Sequence, residues 1–549
     1  MRFTKLASMV MVLALLCMVA SVQTAMAQSE GDEASLGVVQ TEYGLARGVE
    51  GELDGITMFK GIPYAAPPVG DLRWMPPQAP ESWSGARVFN TYPDACMMYT
   101  FDGDMNAEPW KSDFYYEELP ALSEDCLYLN VTTSAVAGDE KLPVFVWYHG
   151  GGLRHGYAWE VEFNPNVLAN KGVVVVTVGQ RLGVFGYMSL PQLSAESDYG
   201  GSGNYGLMDQ IKAMEWIRDN IAAFGGDPEN VTVGGQSGGA SKSAALFVSE
   251  PARGLADKLI MQSGLQLTGT YLPLADAEAR GVTWLQHLGL NGDDSLADLR
   301  ATDARFFLGQ NYPDYQSMAP ASMNQDGQYI TVGGVREAWE AGALEGVDII
   351  VGTALGEASY DAEIANAEGF YASFQEMLGD FFTEYDFENL VWVANANARD
   401  MARTLASYGL TTAASRNVTL NQLFGATPAF DTGDVYVYLF SHRAPGRNED
   451  VFWAWHSSDL WYSFASLRDI PEQREWEEWD YELAETMSSY WANFMKSGDP
   501  NGGELPTWQP STQDALAYME FGDELFLDTE ISQVDQLMID WNRVQFELE

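Results

Sequence analysis

A serine set among glycines stands at Gly235-Gln236-Ser237-Gly238-Gly239, directly after the β-branched run Val231-Thr232-Val233, and Ala240 to Phe247 can continue as a helix. A strand, a sharp turn and a helix in that order hold a serine hydroxyl at the tip of the turn, where it can act as a nucleophile. Such a turn is strained, so Gly235 and Gly239 are expected where a Cβ would meet neighbouring backbone. By itself the pattern is a weak signal and also fits an ordinary glycine-rich strand end, because the chain holds 53 glycines. A second element points the same way. His149-Gly150-Gly151-Gly152 follows the apolar run that ends in Tyr148. When a hydroxyl attacks an acyl carbonyl, the carbonyl oxygen becomes an anion, and backbone N–H groups from a glycine loop and from the residue after the nucleophile can stabilise it. Gly151, Gly152 and Gly238 are the expected donors. A base for the serine proton must come from five histidines. His149 and His155 precede the nucleophile, His287 sits in a helical segment, His442 ends an apolar run, and His456 follows Ala454-Trp455.

These residues need a scaffold that brings distant positions together. Near-continuous apolar runs occur at Leu142 to Tyr148, Val173 to Val178, Val231 to Val233, Lys258 to Met261, Val347 to Val351 and Val435 to Phe440. Runs of this kind suit strands buried on both faces. Segments of helical period lie between them, at Tyr205 to Phe224 and Arg280 to Leu288. The alternation predicts a mainly parallel α/β sheet flanked by helices. No tandem repeat, low-complexity tract or Pro/Ser linker marks a domain boundary. The acidic, aromatic-rich stretches Asp94 to Ser123 and Arg474 to Tyr481 read as surface excursions.

From about Gly44 to Asn542 the chain resembles the type-B carboxylesterases, the family of the cholinesterases and bacterial para-nitrobenzyl esterases. The stretches that carry the resemblance include Phe59-Lys60-Gly61-Ile62-Pro63-Tyr64-Ala65 with Pro67-Pro68, and Glu124-Asp125-Cys126-Leu127-Tyr128-Leu129-Asn130. Others are Arg181-Leu182-Gly183-Val184-Phe185-Gly186, Asn204-Tyr205-Gly206-Leu207-Met208-Asp209-Gln210, and Trp491-Ala492-Asn493-Phe494 ahead of Gly498-Asp499-Pro500. The resemblance implies a single-domain α/β-hydrolase fold with long loop excursions forming an active-site gorge. It implies carboxylic ester hydrolysis through an acyl-enzyme. It also implies His456 as the base, within Ala454-Trp455-His456-Ser457-Ser458-Asp459-Leu460. The third member, which orients the imidazole and lies between serine and histidine in chain order, falls on Glu357 in Thr353-Ala354-Leu355-Gly356-Glu357-Ala358; Asp361 and Glu363 are its local rivals. Two positions depart from the family. Gly356 replaces the usual acidic or polar residue before the glutamate, and Gln236 stands where cholinesterases carry a glutamate, which weakens any case for a quaternary ammonium substrate. Ser263 matches a second serine near the family's triad and reads as a supporting hydrogen-bond residue at most. Trp110 and Tyr116, in the loop between the cysteines, could line a substrate wall.

The N-terminus reads as an export signal: Arg2 and Lys5, then the apolar Leu6 to Ala20, then Ala25-Met26-Ala27 as a cleavage site, with residues 28–549 as the mature domain. A secreted or periplasmic location is expected. Leu15-Leu16 before Cys17 lacks the small residue that lipid attachment wants, so no stable membrane anchor is expected. Loss of the leader leaves Cys96 and Cys126, which in an exported protein are expected to be bridged, as in the family's first loop disulfide. Acids number 78 against 29 bases, a formal net charge of −49. That surface repels nucleic acid, anionic lipid and anionic substrates; the acids are spread out, as on a solvated face suited to salty surroundings. Metal-ligand spacings, a P-loop and a dinucleotide fingerprint are missing, so no metal or cofactor is expected. The Asn-x-Thr sequons at Asn130, Asn230 and Asn417 carry little weight. The partner is a small-molecule ester, by expectation neutral and small or medium in size; nothing in the sequence specifies an oligomeric state. Lipid, carbamate or polyester substrates are alternatives within the enzyme class. A catalytically silent binding or adhesion protein is the alternative outside it, and the joint presence of Ser237, Glu357 and His456 speaks against it.

Overall fold

Apolar runs without polar alternation can be buried on both faces only where helices cover a sheet from either side, and the chain builds such a sheet. The structure is a computed structural model and describes residues 36–99, 114, 119–264, 270–308, 318–357, 367–391, 431–446, 449, 454–468, 474–512, 515–530 and 532–545. All belong to one contact unit, Leu36–Glu549. The leader with Cys17, the side chains of Trp110, Tyr116, Asp361 and Glu363, and the sequon at Asn417 lie outside the described residues.

Eleven strands form the main sheet. In chain order they are β1 (Val49–Glu50), β2 (Thr57–Pro63), β3 (Tyr128–Thr133), β4 (Leu142–Tyr148), β5 (Val174–Val178), β6 (Gly226–Gln236), β7 (Lys258–Gln262), β8 (Asp348–Ala354), β9 (Val435–Phe440), β10 (Tyr518–Phe521) and β11 (Leu525–Asp528). Their spatial order is β11-β10-β9-β8-β7-β6-β4-β5-β3-β2-β1. The block from β5 to β10 is parallel throughout, and antiparallel strands extend it at both edges. Every residue of β5 and β9 is buried. Helix α1 (Tyr205–Asn220), α2 (Gly238–Val248), α3 (Leu274–His287) and α4 (Glu478–Ser497) are the longest described near the site.

Several elements end at other residues than the apolar runs suggest. Strand β6 extends from Gly226 to Gln236 with a register break before Val231. The helical run from Tyr205 ends at Asn220 and tightens into a 3₁₀ turn that stops at Gly225, whose φ of 82° suits only glycine without strain. Helix α3 begins at Leu274, six residues before the apolar period becomes clear. Arg181 and Asp209, both buried, pair through two guanidinium contacts of 2.8 and 2.7 Å and lock the Arg181-Leu182-Gly183 segment onto α1. Losing one partner of such a pair typically costs about 3–5 kcal/mol. Cys96 and Cys126 are joined as a disulfide. Asn130 is buried, with its amide donating to Thr177 Oγ1 at 3.0 Å, so its sequon offers no exposed attachment point.

Parallel strands end at one edge of the sheet, and the loops that leave them there meet. The register sets Tyr148, Gly235, Met261, Val351 and Val437 in a single row across five strands. His149, Ser237, Ser263 and Glu357 all follow within a few residues of that row.

Candidate active site

Ser237 sits between β6 and α2 with φ 55° and ψ −123°, a conformation L-residues rarely adopt. Its amide donates to Gln262 O at 2.8 Å, which ties the turn to β7. The flanking glycines are required by contact. A Cβ on Gly235 would lie 2.2 Å from the Gly239 carbonyl carbon, and one on Gly239 would lie 2.0 Å from Tyr148 O. The helix start is thus pressed against the end of β4. A Cβ on Gly238 would lie 2.6 Å from Gly152 N, so the backbone after the nucleophile and the glycine loop approach one another closely. Gly151 and Gly152 have φ of 86° and 59°, turning that loop back toward Ser237. All three expected donors border the serine.

Glu357 lies just beyond β8 and is 6% exposed, while the His456 side chain is 21% exposed and opens to a cavity. His456 Nδ1 bonds Glu357 Oε2. The other carboxylate oxygen accepts from Thr353 Oγ1 at 2.6 Å and from the Ala354 amide at 2.9 Å. Burial alone would raise the Glu357 pKa, but the His456 charge and these bonds outweigh it and hold the carboxyl below its ordinary value. Burial would lower the His456 pKa, and the facing Glu357 carboxylate outweighs that and raises it. The two directions agree, as expected for a carboxylate that stabilises an imidazolium. Gly356 donates its amide to Ala454 O at 2.8 Å and forms a parallel bridge with Trp455. The segment departing from the family pattern is therefore the one that joins the glutamate loop to the histidine loop.

Ser237 and His456 line one cavity of about 160 Å³ with Gly150, Gly151, Gly152 and Gln236. A second cavity, of about 350 Å³, opens on the other side of Ser237 and is bordered by Gly238, Ser241, Ser263, Tyr271 and Met323. Gln236 Nε2 lies 3.3 Å from His456 Nε2. Ser263 stands next to Glu357 and helps keep it ionised, yet its hydroxyl makes no well-aligned hydrogen bond. Of the other histidines, His155 also borders the smaller cavity and His149 begins the glycine loop, whereas His442 is bound by Asp480 and Asp523 and His287 stacks on Trp284.

Several contributors escaped sequence reasoning. Phe114, between the anticipated aromatics of the cysteine loop, lines the smaller cavity, as does the buried Glu160. Asp459 accepts from Gln262 Nε2 at 2.9 Å and Tyr438 OH at 2.6 Å, anchoring the histidine loop to the sheet. Its place three residues after His456 was the only available signal, and the partners lie on strands far away in sequence. Among the described residues no group of histidine, cysteine and acidic side chains is placed to hold a metal, and no described helix is long and apolar enough to cross a membrane.

Comparison with known proteins adds independent findings. The carboxylesterase family profile matches residues 35–537. Para-nitrobenzyl esterase of Bacillus subtilis (strain 168) is 31% identical over 527 residues, covering 90% of this chain and 95% of the relative. Fumonisin B1 esterase of Sphingopyxis macrogoltabida is 32% identical over 509 residues, covering 89% and 87%. A solved para-nitrobenzyl esterase structure superposes with a TM-score of 0.73 at 27% identity, covering 92% of this chain and 99% of the other.

Proposed function

The chain belongs to the carboxylesterase family and is a serine hydrolase of carboxylic esters, and within that activity we propose Ser237 as nucleophile, His456 as its base and Glu357 as the residue that orients the base. The observation that carries this reading is the Glu357–His456 bond at the edge of the cavity that Ser237 lines. Ser237 Oγ attacks the ester carbonyl carbon as its proton passes to His456 Nε2. The amides of Gly151, Gly152 and Gly238 bind the oxyanion, each worth about 100- to 1,000-fold in rate. The tetrahedral species collapses, the alcohol leaves with the proton held by His456, and an acyl-serine remains. Water then gives a proton to His456 and attacks the acyl carbon, releasing the acid and restoring Ser237. Glu357 stays ionised throughout and stabilises the imidazolium.

The substrate is proposed to be a neutral ester of small or medium size. The two cavities flanking Ser237 would take its two halves, and neither has a lysine or arginine among its described lining residues to hold an anionic group. The substrates for which the relatives are named, fumonisin B1 and a para-nitrobenzyl ester, differ widely, so a chain-length series of p-nitrophenyl esters with neutral and cationic counterparts is the direct measurement. Diethyl p-nitrophenyl phosphate should silence the enzyme and leave a phosphoryl mass on the Ser237 peptide; a mass on another residue would overturn the assignment. Export is proposed as well, and the secreted protein should begin at Gln28.

A further inference from the structure

The chain buries a lysine that the proposed mechanism does not use. Lys242 lies in α2 five residues after Ser237 and is 0% exposed. Its Nζ donates to His149 O at 2.9 Å. The Gln180 side-chain oxygen also faces it at 2.6 Å, accepts from His149 Nε2 at 2.8 Å, and leaves the Gln180 amide nitrogen to donate to Val178 O at 2.8 Å. In that amide orientation the lysine meets an acceptor and not a second donor.

We infer that Lys242 is a positioning residue for the oxyanion loop: its buried amine ties the His149 carbonyl, where the loop begins, to the helix that carries Gly238. This rests on the reading of Gly151, Gly152 and Gly238 as oxyanion donors. Gly238 and Gly239 precede Lys242 by four and three residues, so all three share one helical face. That face is the one pressed on Tyr148, His149 and Gly152. Two parts of the oxyanion cradle come from different elements, the loop after β4 and the start of α2. Catalysis needs their amides held to within a few tenths of an ångström relative to Ser237. Close glycine packing sets how near the elements come, and the lysine bond resists sliding of one along the other. The arrangement is costly. Burial pushes the Lys242 pKa down to about 7, with the Glu160 carboxylate opposing the shift. An apolar side chain of similar length would fill the same space without that desolvation cost. A lysine held for stability alone would be a poor choice; one held to place His149 is not.

The test is Lys242→Met. It is expected to fold with an unchanged or higher Tm, to lower kcat for p-nitrophenyl butyrate about 10- to 100-fold, and to leave KM within about threefold. That loss is smaller than the 100- to 1,000-fold typical of deleting a donor outright. Affinity for a trifluoromethyl ketone, whose adduct with serine carries the oxyanion, should weaken in step with kcat. A kcat within twofold of the parent, or lost kcat with undiminished affinity for the ketone, overturns the inference. If Lys242→Met does not fold, Gln180→Leu decides: it removes the second acceptor of the lysine and should lower kcat several-fold, whereas an unchanged kcat sinks the idea. Ser237→Ala separates the two levels. Full activity in Ser237→Ala removes the underlying reading, while an inactive Ser237→Ala beside a fully active Lys242→Met removes only the role of the lysine.

Discussion

Two histidines facing carboxylates lie 14 positions apart in this chain, and they are built for opposite ends. His442, just past β9, has both ring nitrogens occupied: Nδ1 meets Asp523 at 2.9 Å and Nε2 meets Asp480 at 2.9 Å. Asp480 also accepts from Tyr462 OH at 2.6 Å and caps the start of α4 through the Glu477 amide at 2.8 Å. His456 gives Nδ1 to Glu357 and turns toward the cavity that holds Ser237. Burial lowers each imidazole pKa and the carboxylates outweigh it, so both are raised. A raised pKa therefore does not tell a working histidine from a structural one. The partner of the second nitrogen does: a base must keep that nitrogen within reach of the proton it will take, and His456 Nε2 meets the neutral Gln236 amide beside Ser237, whereas His442 Nε2 is held by the Asp480 carboxylate.

The largest test of this contrast is to remove the reacting pair. Ser237→Ala or His456→Ala should each lower kcat about 10⁵- to 10⁶-fold, and the double variant should be hardly slower than either, because a triad acts as a unit. Comparable losses from His442→Gln would break the comparison. Next in size is Glu357→Gln, with an expected loss of about 10³- to 10⁴-fold in kcat, as for other triads that lose the orienting carboxylate. It also carries a pH signature. In the parent, kcat/KM should fall as pH drops through the raised His456 pKa, since the base must be neutral; without the carboxylate, burial prevails and that limb should move to lower pH. A limb that stays in place would mean another group raises it.

His442→Gln should leave kcat within about twofold and instead cost stability, roughly 3 kcal/mol, by removing the imidazole that pairs with the buried Asp480. The sign of its pH dependence follows from linkage. A histidine whose folded pKa lies above its unfolded value contributes stability in full below the unfolded value, and loses it as pH rises through the folded one. The Tm gap between parent and variant should accordingly be widest near pH 6 and shrink by pH 9. A constant gap would assign the effect to packing. The smallest effect is expected from Gln236→Glu, which places a carboxylate beside His456: about tenfold better kcat/KM for a cationic ester than for its neutral isostere. No preference would show that this position does not face the leaving group.

Much of the site was legible because it is local. Gly235 to Gly239 must turn sharply wherever a strand meets a helix, and the clash distances for a Cβ at Gly235 and Gly239 bear out that local reasoning. The apolar runs likewise marked β4 to β9, with ends displaced by a few residues where register and capping, not hydrophobicity, decide them. The acid was different. Glu357 stands among 78 acidic residues, and only the family resemblance singled it out in sequence. Its bond to His456 depends on β8 running parallel to β7 and β6, and on Gly356 pairing with the histidine loop.

By itself, then, the chain's order of residues determined where strands, sharp turns and a strained serine would form, because backbone sterics and apolar period act over a few residues. It could not say which histidine would pair with Glu357 beside the cavity that Ser237 lines, nor that Lys242 would reach the carbonyl of His149. Those outcomes depend on contacts between segments tens to hundreds of positions apart, and only the packing of the sheet and its loops brings such segments within hydrogen-bond reach.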